Sequence, residues 1–228
     1  MENKRWWSKE KIEWYERAAA YSDFHRTLAS EIEPYIDMEN SVLELGCGLG
    51  HVAEILNGHH YSISAIDRDQ EVIERAKKRS GLDIFSVSDY QEYKGKGDVV
   101  LTIFFGRLWV DDNLSALLSL SNKALLSIHS LHSGQDGNLI SRYTPDLETS
   151  LSFLRDKGLK AEGKVLTIPF HQILKDEKEA RDFIRASYPN GKEEDYLKYL
   201  ENSGIDEFPI MLPNYKKMVM LWIEKPMI

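Results

Sequence analysis

The sequence predicts an α/β fold, in which a doubly wound, mostly parallel sheet carries helices on both faces. Strand and helix patterns alternate between residues 41 and 129, as in a parallel sheet with helical crossovers. The run 98–105 is almost continuously apolar, which is typical of a central strand covered on both faces. A glycine-rich turn joins the first strand, 41–46, to a helix over 50–57. These observations predict a ligand-binding crevice at the carboxyl ends of the strands.

The remaining elements follow from periodicity and chain breakers. Residues 8–33 have helical spacing and end at Pro34, so residues 1–39 are predicted to form an N-terminal helical cap. Further strands are predicted at 61–67, 83–88, 98–105, 124–129, 161–168 and 217–224, with helices at 70–79, 113–121 and 147–157. Residues 171–215 interrupt this alternation with two helical stretches, 177–186 and 193–202. We predict one domain over residues 1–228, with 171–215 as a helical insertion and substrate lid before the last strand; surface packing without ligand contact explains the insertion almost as well.

Composition restricts the function classes. The chain of 228 residues has a formal net charge of −8 and a single cysteine, Cys47. An acidic surface opposes long-range attraction to nucleic acid and to anionic lipid. The N terminus lacks the apolar segment of a signal peptide, and no apolar run has membrane-spanning length. We therefore expect a cytoplasmic protein without nucleic-acid or membrane partners.

The glycine turn carries the strongest functional signal. Its glycines are Gly46, Gly48 and Gly50, whereas a dinucleotide fingerprint requires its third glycine at the position of His51. Glu44, two residues before the first glycine, is unexpected beside a pyrophosphate. A carboxylate there suits a ligand that carries a positive charge, such as an amino group.

This acidic-x-Gly-x-Gly-x-Gly pattern resembles the first motif of class I S-adenosylmethionine-dependent methyltransferases. The resemblance extends over about residues 40–130. It implies a seven-stranded sheet with an antiparallel last strand, S-adenosylmethionine as cofactor, and methyl transfer to an acceptor. The acidic charge, the candidate lid and the absence of an Asn/Asp-Pro-Pro-aromatic motif favour O, N or S of a small molecule. Protein or RNA methylation, a cofactor-binding regulator without turnover, and an NAD-dependent dehydrogenase remain alternatives.

The resemblance also implies roles for individual residues. Asp67, at the end of the second strand, would bind the ribose hydroxyls, while Asp69 would cap the following helix. Asp89 would accept the adenine amino group, and Tyr90 would line the base. Glu44 and Gly46 would lie at the methionine end, with its carboxylate at the helix start near Gly50. Tyr21 resembles a tyrosine that many small-molecule enzymes of the family place over the cofactor, although a tyrosine at helical spacing more often serves packing.

Candidate catalytic groups lie after the fourth and fifth strands. Phe104 would form an apolar wall beside the sulfonium or a flat substrate, or else pack in the core. His129 and His132 could deprotonate a hydroxyl, thiol or amine, or else be hydrogen-bonded loop histidines. No spacing of metal-binding residues rises above chance, so no metal is predicted. Trp6 and Trp7 would either fasten the N-terminal helix or form a homodimer contact.

Overall fold

The computed structural model describes residues 7–105, 108, 111–131 and 145–226. The chain divides into two compact units. We call the first the cap unit, whose described residues are 7–24 and 167–216. The second is the sheet unit, whose described residues are 25–105, 108, 111–131, 145–166 and 217–226. His132 and Trp6, two residues named in the sequence analysis, lie outside the described residues.

The predicted seven-stranded sheet is confirmed. Its strands are β1 (Ser41–Leu45), β2 (Ser62–Asp67), β3 (Phe85–Val87), β4 (Gly97–Ile103), β5 (Ser121–Ser130), β6 (Ala161–Pro169) and β10 (Tyr215–Glu224). They lie in the order β3-β2-β1-β4-β5-β10-β6. Strands β1 to β5 pair in parallel, and β10 runs antiparallel to β5.

Helices of the sheet unit connect these strands. They are α2 (Phe24–Ile32), which begins at the unit boundary, α3 (His51–Gly58), α4 (Gln70–Ser80), α5 (Asp111–Ser119) and α6 (Leu147–Asp156), with a 3-10 turn at Glu33–Tyr35. The predicted cap at Asp69 is confirmed, because its side chain accepts the N–H of Glu71. Gly81 ends the same helix in the left-handed conformation that glycine adopts without steric cost.

The strand register places the site residues at one edge of the sheet. Leu45 at the end of β1 pairs with Ile66 in β2 and with Thr102 in β4, and Thr102 in turn pairs with Ser127 in β5. A buried hydrogen bond of 2.9 Å joins the hydroxyls of Thr102 and Ser127. Because parallel strands end on the same side, the residues that follow them meet at the carboxyl edge.

The described part of the cap unit combines α1 (Lys9–Tyr21) with the insertion. The insertion contains α7 (Glu177–Ser187), α8 (Glu193–Leu197) and a three-stranded antiparallel sheet of β7 (Gln172–Leu174), β9 (Ile210–Leu212) and β8 (Glu201–Asn202). The sequence analysis did not predict this sheet. Its helix over 193–202 was too long, because Glu201 pairs with Met211 instead.

The N-terminal segment, predicted to be helical over 8–33, forms two helices, α1 and α2. Helix α1 ends at Tyr21, where the side chain and the N–H of Ser22 both bond the carbonyl of Ala18. Trp7 packs edge-on against Tyr15, with ring centroids 5.4 Å apart. None of the helices in the described ranges combines the length and apolar character that crossing a bilayer requires. The roles of 171–215 as a lid and of Trp7 as a dimer contact stay predictions.

Candidate functional site

The turn between β1 and α3, residues 46–50, which we call the glycine loop, needs glycine for two reasons. Gly46, Gly48 and Gly50 all have positive φ, of 67°, 53° and 70°. A Cβ at Gly46 would lie 2.1 Å from the ring of Phe105, and one at Gly50 would lie 2.3 Å from the ring of Phe85. The loop therefore adopts one tight shape, in which no side chain caps the first turn of α3. The amide groups of that turn can meet an anionic group such as a carboxylate.

Glu44 lies inside β1, just below the glycine loop. It is 3% exposed, and its Oε2 atom has no hydrogen-bond partner among the described residues. Burial, and next the charge of Asp67, raise the pKa of Glu44 to about 8, against a lowering by the backbone N–H of Ala53. A buried carboxylate oxygen without a partner among the described residues fits a cationic ligand group, and the role of Glu44 at the cofactor's amino group stays a prediction.

Asp67 ends β2, next to the glycine loop. Its Oδ2 accepts the N–H of Gly48 at 2.9 Å, and its Oδ1 accepts the N–H of Asp69 at 2.9 Å. Each carboxylate oxygen has a second acceptor position. These two bonds fix the carboxylate at the carboxyl edge, where it can still accept hydrogen bonds from two hydroxyls.

Asp89 and Tyr90 follow β3. The Oδ1 atom of Asp89 accepts the N–H of Gln91 at 3.0 Å, and so shapes a turn. Tyr90 packs edge-on against Phe105 with ring centroids 5.3 Å apart, and its hydroxyl donates to Asn113 Oδ1. Through Phe105, the predicted base-binding segment is therefore connected to the glycine loop.

Phe104 stands in an unusual backbone conformation directly after β4. Its φ of 53° is sterically unfavourable for a residue with a Cβ. Its N–H donates a hydrogen bond of 2.7 Å to the carbonyl of Ile128. Phe104 is 44% exposed, whereas the neighbouring ring of Phe105 packs under Gly46. The alternative of simple core packing therefore describes Phe105 better than Phe104.

His129 lies near the carboxyl end of β5. Its Nε2 atom lies 3.2 Å from the carbonyl oxygen of Pro145, which can only accept, so Nε2 carries the proton. Burial lowers the pKa of His129, against a raising by this hydrogen bond, so the ring is neutral at pH 7. In that tautomer Nδ1 is the nitrogen that can take up a proton.

Tyr21 belongs to the cap unit. Its hydroxyl lies 3.2 Å from the carbonyl oxygen of Ser203, to which it donates, and 3.5 Å from the sulfur of Met211. These contacts explain the position of Tyr21 by packing within the cap unit, and its role over the cofactor stays a prediction. Within the described ranges, no cluster of three or more His, Cys, Asp or Glu side chains could hold a metal ion.

Arg79 is a site residue that the sequence analysis missed. From the last turn of α4 it donates to the carbonyl of Leu49 at 2.8 Å and to Glu54 on α3 at 2.6 Å. His51 stacks on His25 with ring centroids 4.5 Å apart. Burial lowers the pKa of His25 to about 4, with a further lowering by Arg79. A basic residue near a helix end is common, so no sequence signal pointed to this contact with the glycine loop.

Comparison with known proteins agrees with this geometry. Residues 43–120 match the family model described as a methyltransferase domain. Magnesium protoporphyrin IX methyltransferase of Synechocystis PCC 6803, solved with bound S-adenosylhomocysteine, has a similar fold, with a TM-score of 0.55 and 10% identity over 96% of this chain and 89% of that one. No curated relative matches this chain in sequence.

Two further solved structures have the same fold but different assigned acceptors. A Thermotoga maritima protein, assigned provisionally as a histamine N-methyltransferase, gives a TM-score of 0.53 and 15% identity over 95% of this chain and 98% of that one. A Pyrococcus horikoshii protein, assigned provisionally as an RNA methyltransferase, gives 0.52 and 12% over 97% of this chain and 100% of that one. At such identities the likeness establishes the fold alone.

Proposed function

We propose that this chain, an S-adenosylmethionine-dependent methyltransferase by the family match of residues 43–120, transfers the methyl group to O, N or S of a small molecule. The observation that carries the cofactor site is the pair of carboxylates beside the glycine loop. Glu44 is buried with an unpartnered oxygen among the described residues, and Asp67 is fixed by the N–H of Gly48. This arrangement suits an ammonium group and a ribose better than a pyrophosphate.

In this proposal the chain supplies binding and alignment. Asp67 binds the ribose hydroxyls, Asp89 and Tyr90 bind the adenine, and the amides at the start of α3 bind the carboxylate. Tyr21 and Phe104 are proposed to cover the cofactor and the acceptor side. When bound, the cofactor supplies a methyl group that is activated by the positive charge of its sulfonium sulfur, and S-adenosylhomocysteine is the leaving group. Alignment of reacting groups contributes up to roughly 7–11 kcal/mol in favourable cases.

We assign His129 as the general base for an acceptor that arrives protonated. Its ring is neutral at pH 7, and Nε2 donates to Pro145, so Nδ1 is the basic nitrogen. His129→Ala should lower kcat and leave the affinity for S-adenosylhomocysteine within about twofold. His59, which follows α3 and has an exposed side chain, offers a His→Ala control outside the proposed site. Normal kcat in His129→Ala would remove this residue from the mechanism.

A small molecule as acceptor is supported by the charge of the chain. A net charge of −8 opposes binding of RNA, whose affinity depends on neutralising phosphates. Transfer of radioactive methyl from S-adenosylmethionine, measured on panels of small hydroxyl, amine and thiol compounds, RNA and protein, tests the proposal. Labelling of small molecules would support it, and labelling of RNA or protein alone would contradict it.

The same assay also tests the alternative function, in which the protein binds the cofactor but transfers no methyl group. Calorimetric binding of S-adenosylhomocysteine, combined with no methyl transfer to any panel, would favour that alternative and overturn the proposed reaction. The segment 171–215 is proposed to contact the acceptor. Substitutions in this segment should then change KM for the acceptor more than the affinity for S-adenosylhomocysteine.

A further inference from the structure

The carboxyl group of Glu44 lies in the middle of the sheet, where a charge is expensive. Its backbone pairs with Ala65 on β2 and with Leu101 on β4, and the side chain is 3% exposed. Within the described part of the chain, the one hydrogen bond that lowers the pKa of Glu44 comes from the N–H of Ala53 in the first turn of α3. Oε2 has no partner within the described ranges. Solvation by the protein is therefore incomplete for a carboxylate.

Among the residues that the structure describes, the titratable groups that act on Glu44 add no positive charge. Asp67, at the end of β2, repels a negative charge on Glu44. Cys47, in the glycine loop, has a pKa raised well above its usual value by burial and then by Glu44 and Asp67, so its thiol is neutral. The neighbours in register, Ala65 and Leu101, do not titrate. Burial and the charge of Asp67 therefore act in the same direction, and together they raise the pKa of Glu44 to about 8.

Resting on the proposed function, we propose that Glu44 is a neutral carboxylic acid in the free protein and that the cofactor's ammonium group displaces its proton into solvent. In this step the ammonium group of the cofactor replaces the proton as the positive charge beside the carboxyl group of Glu44. No covalent bond changes except the O–H bond of Glu44, whose proton passes to water. The interaction acts through charge, so it requires the ammonium at the carboxyl end of β1 and not a direct hydrogen bond.

The size of the effect is sufficient to ionise Glu44. A unit positive charge about 4–5 Å away, at an effective dielectric constant of about 20, lowers a carboxyl pKa by about 2 to 3. Because the pKa of Glu44 starts at about 8, this shift lowers it below 7. The ligand's own α-amino group titrates near pH 7.7–8.0 in its unperturbed state, so measurements belong at pH 7 and below.

Calorimetry with S-adenosylhomocysteine, which has the ammonium group but no sulfonium, tests the exchange. Titrations of the full chain at pH 7 in buffers of different ionisation enthalpy count the protons released on binding. We expect roughly 0.7–0.9 proton for the wild type, given the two pKa values above. Glu44→Gln should release none. Glu74→Gln, on the exposed face of α4, is the matched control and should behave as the wild type.

The pH dependence gives a second, independent readout. Between pH 6 and pH 7 the wild-type affinity should rise roughly five- to tenfold, because the proton to be displaced becomes easier to remove. The affinity of Glu44→Gln should change less than about twofold over this interval. If that variant does not fold, the wild-type proton count alone decides. Binding without proton release would overturn the inference and leave the proposed function intact, whereas no binding by folded wild type would overturn the proposed function itself.

Discussion

The backbone N–H of Gly48 donates a hydrogen bond of 2.9 Å to Oδ2 of Asp67, so the glycine loop and the end of β2 are tied together. The second oxygen of Asp67 is held by the N–H of Asp69. A residue assigned to the cofactor's ribose therefore also shapes the loop that is assigned to its methionine end. Loss of this carboxylate should affect both parts of the site.

Asp67→Asn should weaken the binding of S-adenosylhomocysteine by at least about tenfold. An amide offers only one acceptor oxygen, so it cannot keep both backbone bonds and also serve two hydroxyls; hydrogen bonds to charged groups contribute about 1.5–3 kcal/mol each. Asp69→Asn is the matched control, because asparagine caps a helix as well as aspartate does. Calorimetry measures both variants, and wild-type affinity in a folded Asp67→Asn protein would refute the assignment.

Glu44→Gln should stabilise the ligand-free protein at neutral pH. Because the folded pKa is raised from 4.5 to about 8, the folded state keeps a proton that the unfolded state has lost, and stability falls as pH rises between these values. At about 1.36 kcal/mol per pKa unit, the free energy of unfolding of the wild type is lower at pH 7 by about 3 kcal/mol because of this shift. Urea unfolding at pH 5 and pH 7 should show a declining free energy for the wild type and a flatter one for the variant. An equally steep decline in Glu44→Gln would contradict the raised pKa of Glu44.

Phe104→Gly should be more stable than Phe104→Ala by about 1 kcal/mol. Both variants lose the ring, but only alanine retains the steric cost of the left-handed backbone. Ile103, the last residue of β4, provides the control, because in a strand the order should be reversed and glycine should be the less stable. Thermal unfolding of the four variants measures this difference. If the alanine variant were the more stable one at both positions, Phe104 would not be strained.

Glu179→Gln should destabilise the protein at pH 7 and have little effect at pH 2. Burial raises the pKa of Glu179, but bonds from Arg17, the N–H of Lys175 and Trp14 outweigh this and lower it to about 2. A depressed pKa stabilises the fold above about pH 4.5, and this stabilisation is lost as the pH falls towards 2. We expect a loss of about 2–3 kcal/mol at pH 7 from the shift.

The control for this prediction is Glu177→Gln, since Glu177 is an exposed residue of the same helix. Urea unfolding followed by tryptophan fluorescence is suitable, because Trp14 itself bonds Glu179. A pH-independent difference between Glu179→Gln and the wild type would show that the carboxylate's charge does not matter.

The amino-acid sequence was enough to predict the sheet and, through the family resemblance, its strand order. It was enough because strand–helix alternation and apolar strands are local patterns, and because a strand followed by a glycine turn predicts where the carboxyl edge lies. The cap at Asp69 could also be predicted, since it depends on position relative to a helix start, whereas the cofactor roles of Glu44 and Asp67 stay predictions.

The surroundings of these residues follow only from the folded structure. The packing of Phe105 under Gly46, the bond from Arg79 to Leu49 and the small antiparallel sheet of the cap unit join segments distant in sequence, which periodicity cannot relate. The raised pKa of Glu44 likewise depends on its burial between two neighbouring strands and on the charge of Asp67. A sequence pattern shows that a residue is acidic, whereas its charge state depends on the solvent and the neighbours that the fold leaves to it.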